Sequence, residues 1–510
     1  MKRDIYTMLR VFYSLTFVIL LVGCSKSDPV TEEDDTPDPD TPIPVSLDNP
    51  IHNFVWKGLN EIYLWQQDVA DLADNKDDNQ NNYYSFLNGF NSPEETFDGL
   101  LYQKDVVDKF SFLVDDYVEL ENSFQGISLS NGLDFRLVRL SGSDDIFGYV
   151  RYVANNSDAA SKDIKRGDLF LEVDGQQLNL NNYINLLFGD NSRYTLGLAE
   201  INNNSISLSG KTVELTKSQF TENPILIDKV IETGGSKIGY LMYNSFIADF
   251  DDELNTAIGN FKSQGITDLV LDLRYNPGGR VSSAVILSSM ITGQFGRKVL
   301  IQEIWNDKYQ AFFEANAPDR LLNRFTSTLL DDTPIETLNL NKVYILTTEN
   351  SASASELIIN GLDAYIDVVQ IGTSTTGKYT ASVTLYDSPD FSKDNVNQGH
   401  TYALQPLVYK SANANGITDY FNGLTPDHLI TYNTSSGVAE GEDFLNMGTL
   451  GDVNEPFLAK AIELITGSTT KSTPNKLDRQ PSPAVDVVVN SKDFSPLGNE
   501  MYIERLPVIE

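Results

Sequence analysis

Three short segments carry residue types at spacings that could do chemistry. The first is Leu271-Asp272-Leu273-Arg274-Tyr275-Asn276-Pro277-Gly278-Gly279, an apolar run that meets a Pro-Gly-Gly turn. Two glycines permit backbone conformations that other residues resist, so free N–H groups can point into a cleft and receive a developing negative charge. The second is Glu349-Asn350-Ser351-Ala352-Ser353-Ala354-Ser355-Glu356. It joins a strand pattern to a helix pattern, so its serines stand where backbone donors and the helix dipole favour an anion. The third, Gly372-Thr373-Ser374-Thr375-Thr376-Gly377-Lys378, follows another apolar run. A lysine in a partly dry site has its amine pKa lowered by desolvation and can then take a proton from a serine.

Each segment alone also has a plain structural reading. A Pro-Gly-Gly turn serves many α/β proteins. Ser353-x-x-Glu356 has the pattern of a capping box that starts a helix. The third segment is not a Walker A loop, because Tyr379 follows the lysine where Ser or Thr would be needed. Residue chemistry does not choose among Ser351, Ser353 and Ser355.

These segments must be positioned by an alternation of strands and helices from about 230 to 470, which argues a layered α/β domain. Strands are expected at 237–242, 269–273, 343–347 and 368–371, and helices at 251–264, 281–292 and 353–362. Leu254, Ile258 and Phe261 line one face of the first helix. Upstream, 49–120 reads as a small helical region, from the spacing of Phe54, Trp56, Leu59, Ile62, Tyr63 and Trp65, with a later helix start at Pro93-Glu94-Glu95. It shows no chemistry of its own.

Between about 124 and 218 the pattern becomes short strands: 126–129, 135–140, 148–153, 169–173 and 194–198. Ser157 to Ser161, Gly167-Asp168 and Asp174-Gly175 lie among them. This order resembles a PDZ domain of the bacterial protease-associated type. Such domains add a peptide as an extra strand and hold its terminal carboxylate in backbone N–H groups. The resemblance makes Gly126-Ile127-Ser128-Leu129 the expected peptide-binding edge.

Composition narrows the function classes. The chain has 510 residues, enough for two to four domains at roughly 100 to 200 residues each. With 41% hydrophobic and 10% aromatic residues it can bury cores, which excludes wholesale disorder. A formal charge of −35 repels phosphate backbones and argues against nucleic-acid partners. One cysteine and three histidines exclude a zinc ribbon, a disulfide scaffold or a His-rich metal cage. His400 and His428 follow the serines, His52 is far upstream, and neither G-x-S-x-G nor H-E-x-x-H occurs, so a Ser-His-Asp triad is not indicated.

The chain opens with Lys2, Arg3 and Arg10, then an apolar run 11–22, then Gly23-Cys24. A positive start, a short apolar run and a small residue before the cut describe a secretory signal. With the sole cysteine next, residues 1–23 resemble a bacterial lipoprotein signal, which implies lipidation of Cys24. Residues 24–48, rich in Pro and acid, read as an extended tether. Their acidic stretch resembles the surface-export signals of Bacteroidetes lipoproteins. The expected location is the bacterial cell envelope, lipid-anchored to the outer membrane.

Taken in order, strand–PGG–helix, strand–SASASE–helix and strand–TGK resemble the S41 family of C-terminal processing, or tail-specific, peptidases. The resemblance extends to the PDZ-like span and to Gly423-Leu424-Thr425-Pro426-Asp427, and so to most of residues 50–470. It implies a multidomain α/β protein: a crotonase/ClpP-like protease core at 230–470, a PDZ-like β-rich domain and the N-terminal helical region. It also implies a serine endopeptidase without a cofactor or metal, acting on protein or peptide substrates. By the family's pattern the nucleophile is the middle serine, Ser353, and the general base is Lys378. Backbone N–H groups of Gly278 or Gly279 and of Ala354 would form the oxyanion hole. Where many members carry Gln four residues after the lysine, this chain has Ser382. That departure keeps a second reading in view, a surface lipoprotein that binds a peptide or protein partner without turnover. Residues 471–510 form a tail left unassigned, apart from a possible strand at 484–489.

Overall fold

The computed structural model describes residues 44–467 and 482–507, apart from 141, 203, 204, 496, 497 and 499. The leader, Cys24 and the tether up to residue 43 lie outside the described residues. Among the described residues no helix is long and apolar enough to cross a membrane.

The helical region consists of helices Pro50–Ile62, Gln80–Leu87 and Pro93–Gly99. Asn49 and Ser92 cap the first and third with their side chains, and a proline follows each cap at the first helical position. Phe54, Trp56, Leu59 and Ile62 are buried in the same core as Leu241, Leu271 and Ile345 of the α/β part, so this region has no core to itself.

The α/β part is built on a six-stranded sheet, ordered Ile225–Thr233, Ser236–Tyr243, Asp268–Asp272, Lys342–Thr347, Asp367–Gly372 and His428–Leu429. The first pair is antiparallel and the rest are parallel. Side chains alternate across it. Leu241, Leu269, Leu271, Val343 and Ile345 enter one core, while Tyr240, Met242, Val270, Tyr344 and Leu346 enter another. Helices Asp251–Gln264, Val281–Thr292 and Ala354–Asp363 cover the first face, and Pro456–Thr466 covers the second. Leu254, Ile258 and Phe261 are all buried, each contributing about 1.5–3 kcal/mol by leaving water. A second six-stranded sheet is ordered Gly279–Arg280, Met501–Ile503, Thr380–Val383, Leu407–Asn413, Val299–Trp305 and Leu322–Arg324.

The β-rich part is a seven-stranded antiparallel sheet with strands Leu133–Leu140, Ile146–Val153, Leu169–Val173, Arg193–Asn202 and Ser205–Thr216 in sequence. Phe135, Leu137, Val150, Phe170 and Leu196 fill its core. Two observations bear on the expected peptide-binding edge. The strand Ile127–Ser130 pairs with Ser218–Thr221 in a separate two-stranded sheet and is not an edge of the larger one. That edge, on Leu133–Leu140, is taken by the chain's own Val485–Asn490, antiparallel to it. The tail thus joins both parts, and the core sheets reach outside the expected span 230–470, from Ile225 to Ile503.

Under the Pro-Gly-Gly turn lies a buried charge cluster. Arg274, fully buried, meets Asp272 at 2.8 Å, Glu455 at 2.7 Å and Glu442 at 3.1 Å. Arg166 reaches Glu442 at 2.5 Å. These partners hold the Glu442 carboxyl down at about 2 despite burial, with Arg166 and Arg274 the main opposing charges. Removing the central cation strands three acids away from water, so Arg274→Met is expected to cost about 3–5 kcal/mol in denaturant unfolding. A loss below about 1 kcal/mol would show that the cluster does not hold the turn.

Candidate active site

The three segments leave the C-terminal ends of three neighbouring parallel strands, Asp268–Asp272, Lys342–Thr347 and Asp367–Gly372. That end of an open α/β sheet is where ligands commonly bind.

Side chains separate the three serines. Ser351 Oγ donates to the Leu273 carbonyl at 2.8 Å and accepts the Thr348 N–H at 3.0 Å. Ser355 Oγ donates to the Asn276 carbonyl at 3.0 Å. Both are therefore spent on lashing this segment to the Pro-Gly-Gly turn. Ser353 Oγ is buried and has no hydrogen-bond partner. Ser353 is not helical; it caps the helix Ala354–Asp363 from φ +67°, ψ −115°. Positive φ is unusual for a residue with a Cβ and stores strain of order 1–3 kcal/mol. Of the expected capping box, the Glu356 half is clear: its carboxylate accepts the Ser353 N–H at 2.8 Å.

Glu356 does more than cap. The same oxygen accepts the Lys378 N–H at 2.8 Å, and the other accepts the Gly377 N–H at 2.7 Å and the Thr375 hydroxyl at 2.6 Å. One buried carboxylate thus ties the serine turn to the lysine turn. Burial pushes its pKa up to about 7, and the four donors oppose that rise.

Lys378 is fully buried, its ammonium 5.1 Å from the centre of the Phe110 ring. Its amine reaches Glu500 Oε1 at 2.6 Å, while Ser382 Oγ donates to Glu500 Oε2 at 2.6 Å. Gln405 Nε2 in turn donates to Ser382 Oγ at 2.9 Å. Burial lowers the Lys378 pKa, against the pull of Glu500, and raises that of Glu500, against the pull of Lys378.

The expected oxyanion donors are not all available. The Gly278 N–H is taken by Asn276 Oδ1 at 2.9 Å. The Gly279 N–H donates to the Glu500 carbonyl at 2.5 Å. Ala354, first in its helix, has no intrahelical partner for its N–H. Gly278, at φ +115°, lies so close that a Cβ there would be 2.6 Å from Ser353 Cβ and 3.1 Å from Ala354 N. Only glycine fits.

The expected peptide-binding residues Gly126, Ile127, Ser128 and Leu129 line a cavity of about 610 Å³ that Pro277 also lines. Phe188, Lys217, Lys492 and Phe494 complete its walls. From the β-rich part, Arg136 meets Glu349 at 2.5 Å and Asn350 at 2.8 Å, just before the serines. His52 is bonded to Thr96 and His400 to Asp387. Among the described residues no group of three His, Cys, Asp or Glu is placed to hold a metal ion.

Sequence reasoning missed Glu500, Asn276, Gln405 and Phe110. Asn276 precedes the Pro-Gly-Gly turn and could have been suspected. Glu500 is 122 residues from Lys378 in a tail with no motif, and nothing local points to it.

Comparison with known proteins bears on the family and the fold. The family model "Peptidase family S41" matches residues 237–430, and "Peptidase S41 N-terminal domain" matches 51–112. The chain belongs to peptidase family S41. It is 28% identical over 182 residues to a carboxyl-terminal-processing protease of Picosynechococcus, covering 35% of this chain and 38% of that protein. It is 25% identical over 232 residues to the carboxy-terminal processing protease CtpA of Bacillus subtilis, covering 44% and 43%. It therefore spans well under half the length of these curated relatives. An S41 protease structure from Bacteroides fragilis matches with TM-score 0.62 and 25% identity, over 81% of this chain and 97% of that one. The family's α/β fold and helical N-terminal region are thus present.

Replacing Glu356 by Gln turns an NH₂ group toward bound N–H donors. Glu356→Gln is expected to lower unfolding stability by about 2 kcal/mol or more and to uncouple Ser353 from Lys378. Unchanged stability in denaturant titration would contradict the role given to this carboxylate.

Proposed function

We propose that the protein is a serine endopeptidase in which Ser353 is the nucleophile and Lys378 the general base. The observation that carries this reading is the contrast among the three serines: only the Ser353 hydroxyl has no partner. It stands strained at a helix N-terminus, on the strand end beside the one that leads to a buried lysine. Ser353 Oγ attacks a peptide carbonyl carbon as its proton passes to the neutral Lys378 amine. The oxyanion forms against the Gly279 N–H, once the Glu500 carbonyl has left it, the Ala354 N–H and the positive end of the helix. Collapse expels the amine, which takes the proton from Lys378. Water, deprotonated by the Lys378 amine, then attacks the acyl carbon, and the ester bond breaks as Lys378 returns the proton to Ser353 Oγ and the acid product leaves.

Substrates are proteins or peptides that enter as an extended strand. We assign the β-rich part, 124–218, to a PDZ-like domain, with the cavity at Gly126–Leu129 as its peptide-binding groove running toward Pro277. The names of the relatives, processing proteases of carboxyl termini, support C-terminal recognition. A lipid on Cys24 would hold the body at the cell envelope. The contact of Glu500 with Lys378 is the one observation that favours a partner-binding protein without turnover, and the same experiment decides between the two.

Wild type, Ser353→Ala and Lys378→Arg are incubated with unfolded casein. Arg keeps a buried cation but gives up no proton, so both variants are expected to fall at least about 10³-fold in kcat/KM with the fold intact. Wild-type kcat/KM rises with pH, because the base must be neutral. It levels off below the ordinary lysine value of 10.5, in keeping with a lowered amine pKa. Cleavage that survives in Ser353→Ala, or is absent in wild type, defeats the reading.

A further inference from the structure

The second core sheet has an unusual member. Met501–Ile503 lies between Gly279–Arg280 and Ser382–Val383, parallel to both, so the tail separates the glycine turn from the strand that follows the lysine. Its pairing puts Met501 beside Gly279 and Tyr502 beside both Arg280 and Ser382.

The residue before this strand fills the catalytic centre by its backbone and its side chain together. The Glu500 carbonyl accepts the Gly279 N–H. It also lies 2.4 Å from the point where a Gly278 Cβ would stand, a point 2.6 Å from Ser353 Cβ and 3.1 Å from Ala354 N. The Glu500 carbonyl and the Ser353 side chain thus crowd the same point on Gly278, and one of the proposed oxyanion donors, the Gly279 N–H, is already taken by a peptide carbonyl. The Glu500 carboxylate meanwhile engages Lys378 and Ser382. Ser353 has no exposed surface, so no peptide reaches it while this strand is in place.

The rest of the tail is built to present this strand. Val485–Asn490 pairs with the β-rich sheet. Asn490 accepts from Arg136 at 2.7 Å, and Ser491 Oγ donates to Asp134 at 3.0 Å. Lys492 donates to the Asn244 and Tyr275 carbonyls at 3.0 and 3.2 Å. The Phe494 ring stacks on Phe188 with centroids 3.9 Å apart. Arg280 pairs with Glu504 beyond the strand. A segment held on both sides of the centre has a high effective concentration there and needs little intrinsic affinity.

We infer that Glu500–Ile503 is a substrate-mimicking strand supplied in cis, which closes the site by placing its own carbonyl on the Gly279 N–H and its carboxylate on Lys378. A peptide substrate takes the same slot once this strand withdraws. The inference rests on the Ser353–Lys378 reading and adds to it how the site is kept shut. An acid is suited to this task because its carboxylate reaches the Lys378 amine directly, at 2.6 Å, a contact that an apolar residue at 500 could not make.

The test labels Ser353 in the full chain with a fluorophosphonate and compares the parent protein with Met501→Pro and Glu500→Ala. Proline removes the N–H and the extended pairing at the first residue of the strand. Labelling is expected to speed up by about tenfold or more in Met501→Pro, as for a site open in a tenth or less of the parent molecules. Glu500→Ala is expected to speed it as well. Amide exchange at 279–280 and 382–383 should rise with it, showing that the strand has left an otherwise folded core. A synthetic peptide of residues 498–507, added to Met501→Pro, should restore the slow rate. Equal labelling in parent and Met501→Pro, with the exchange raised, overturns the inference. So does lost labelling in Glu500→Ala, which would make Glu500 a positioning residue for the lysine. Cleavage of the parent chain after Glu500 would make the strand a substrate and also overturn it. Labelling of Ser353 in no form defeats the serine reading and this inference with it, which the casein assay reports separately.

Discussion

The site depends on one buried carboxylate that accepts four hydrogen bonds from two separate loops. Glu356 collects the N–H groups of Ser353, Gly377 and Lys378 and the hydroxyl of Thr375. Two parallel-strand exits that would otherwise diverge are thereby fixed to one another at main-chain level. Each such bond contributes only about 0.5–1.5 kcal/mol net, more when an acceptor is charged. Four on one group make the arrangement hard to open piecemeal, because any one left unmade strands a donor away from water. Holding the Ser353 N–H inward also accounts for its positive φ, which turns the side chain off the helix and leaves the hydroxyl without a partner.

Around this tie, contact with the glycine turn is enforced by short links. Ser351 and Ser355 bond carbonyls on either side of Arg274 and Tyr275, and the Ala352 N–H bonds the Asn276 carbonyl at 3.1 Å. The Asn276 side chain donates to the Tyr243 carbonyl at 2.8 Å while accepting the Gly278 N–H, which sets the pitch of the two glycines. Arg274, beneath them, balances Asp272, Glu442 and Glu455. The motif that looked like one reactive serine among three is thus two clamps and one free hydroxyl.

What could be read from the sequence was what local pattern controls. The helices Asp251–Gln264 and Val281–Thr292 fall where apolar spacing puts them. The buried parallel strands shift by a residue or so from expectation, since periodicity does not mark strand ends. Which serine is free depends on where carbonyls of another segment lie, and no spacing rule contains that. The same holds for Gly278, whose glycine character was legible and whose N–H is consumed by a neighbour's side chain. The helical region seemed to carry no chemistry, yet Phe110 lies against Lys378, because it shares the core of the α/β part.

The tail was opaque for a more general reason. A tail whose two strands complete two different sheets is specified by the vacancies they fill, and those exist only in three dimensions. The edge on Leu133–Leu140 and the slot between Gly279–Arg280 and Ser382–Val383 both need main-chain partners, since open edges leave N–H and C=O groups unmatched. Main-chain pairing reads little of the occupant's sequence, so the slot that accepts Met501–Ile503 would accept other extended chains. What marks this occupant is Glu500, whose carboxylate meets the Lys378 amine at 2.6 Å. A chain with another residue there would restore the same sheet without that contact. On the proposed reading, the main-chain hydrogen bonds that close the site are the ones a substrate would use, and the side chain at 500 is what sets the two occupants apart.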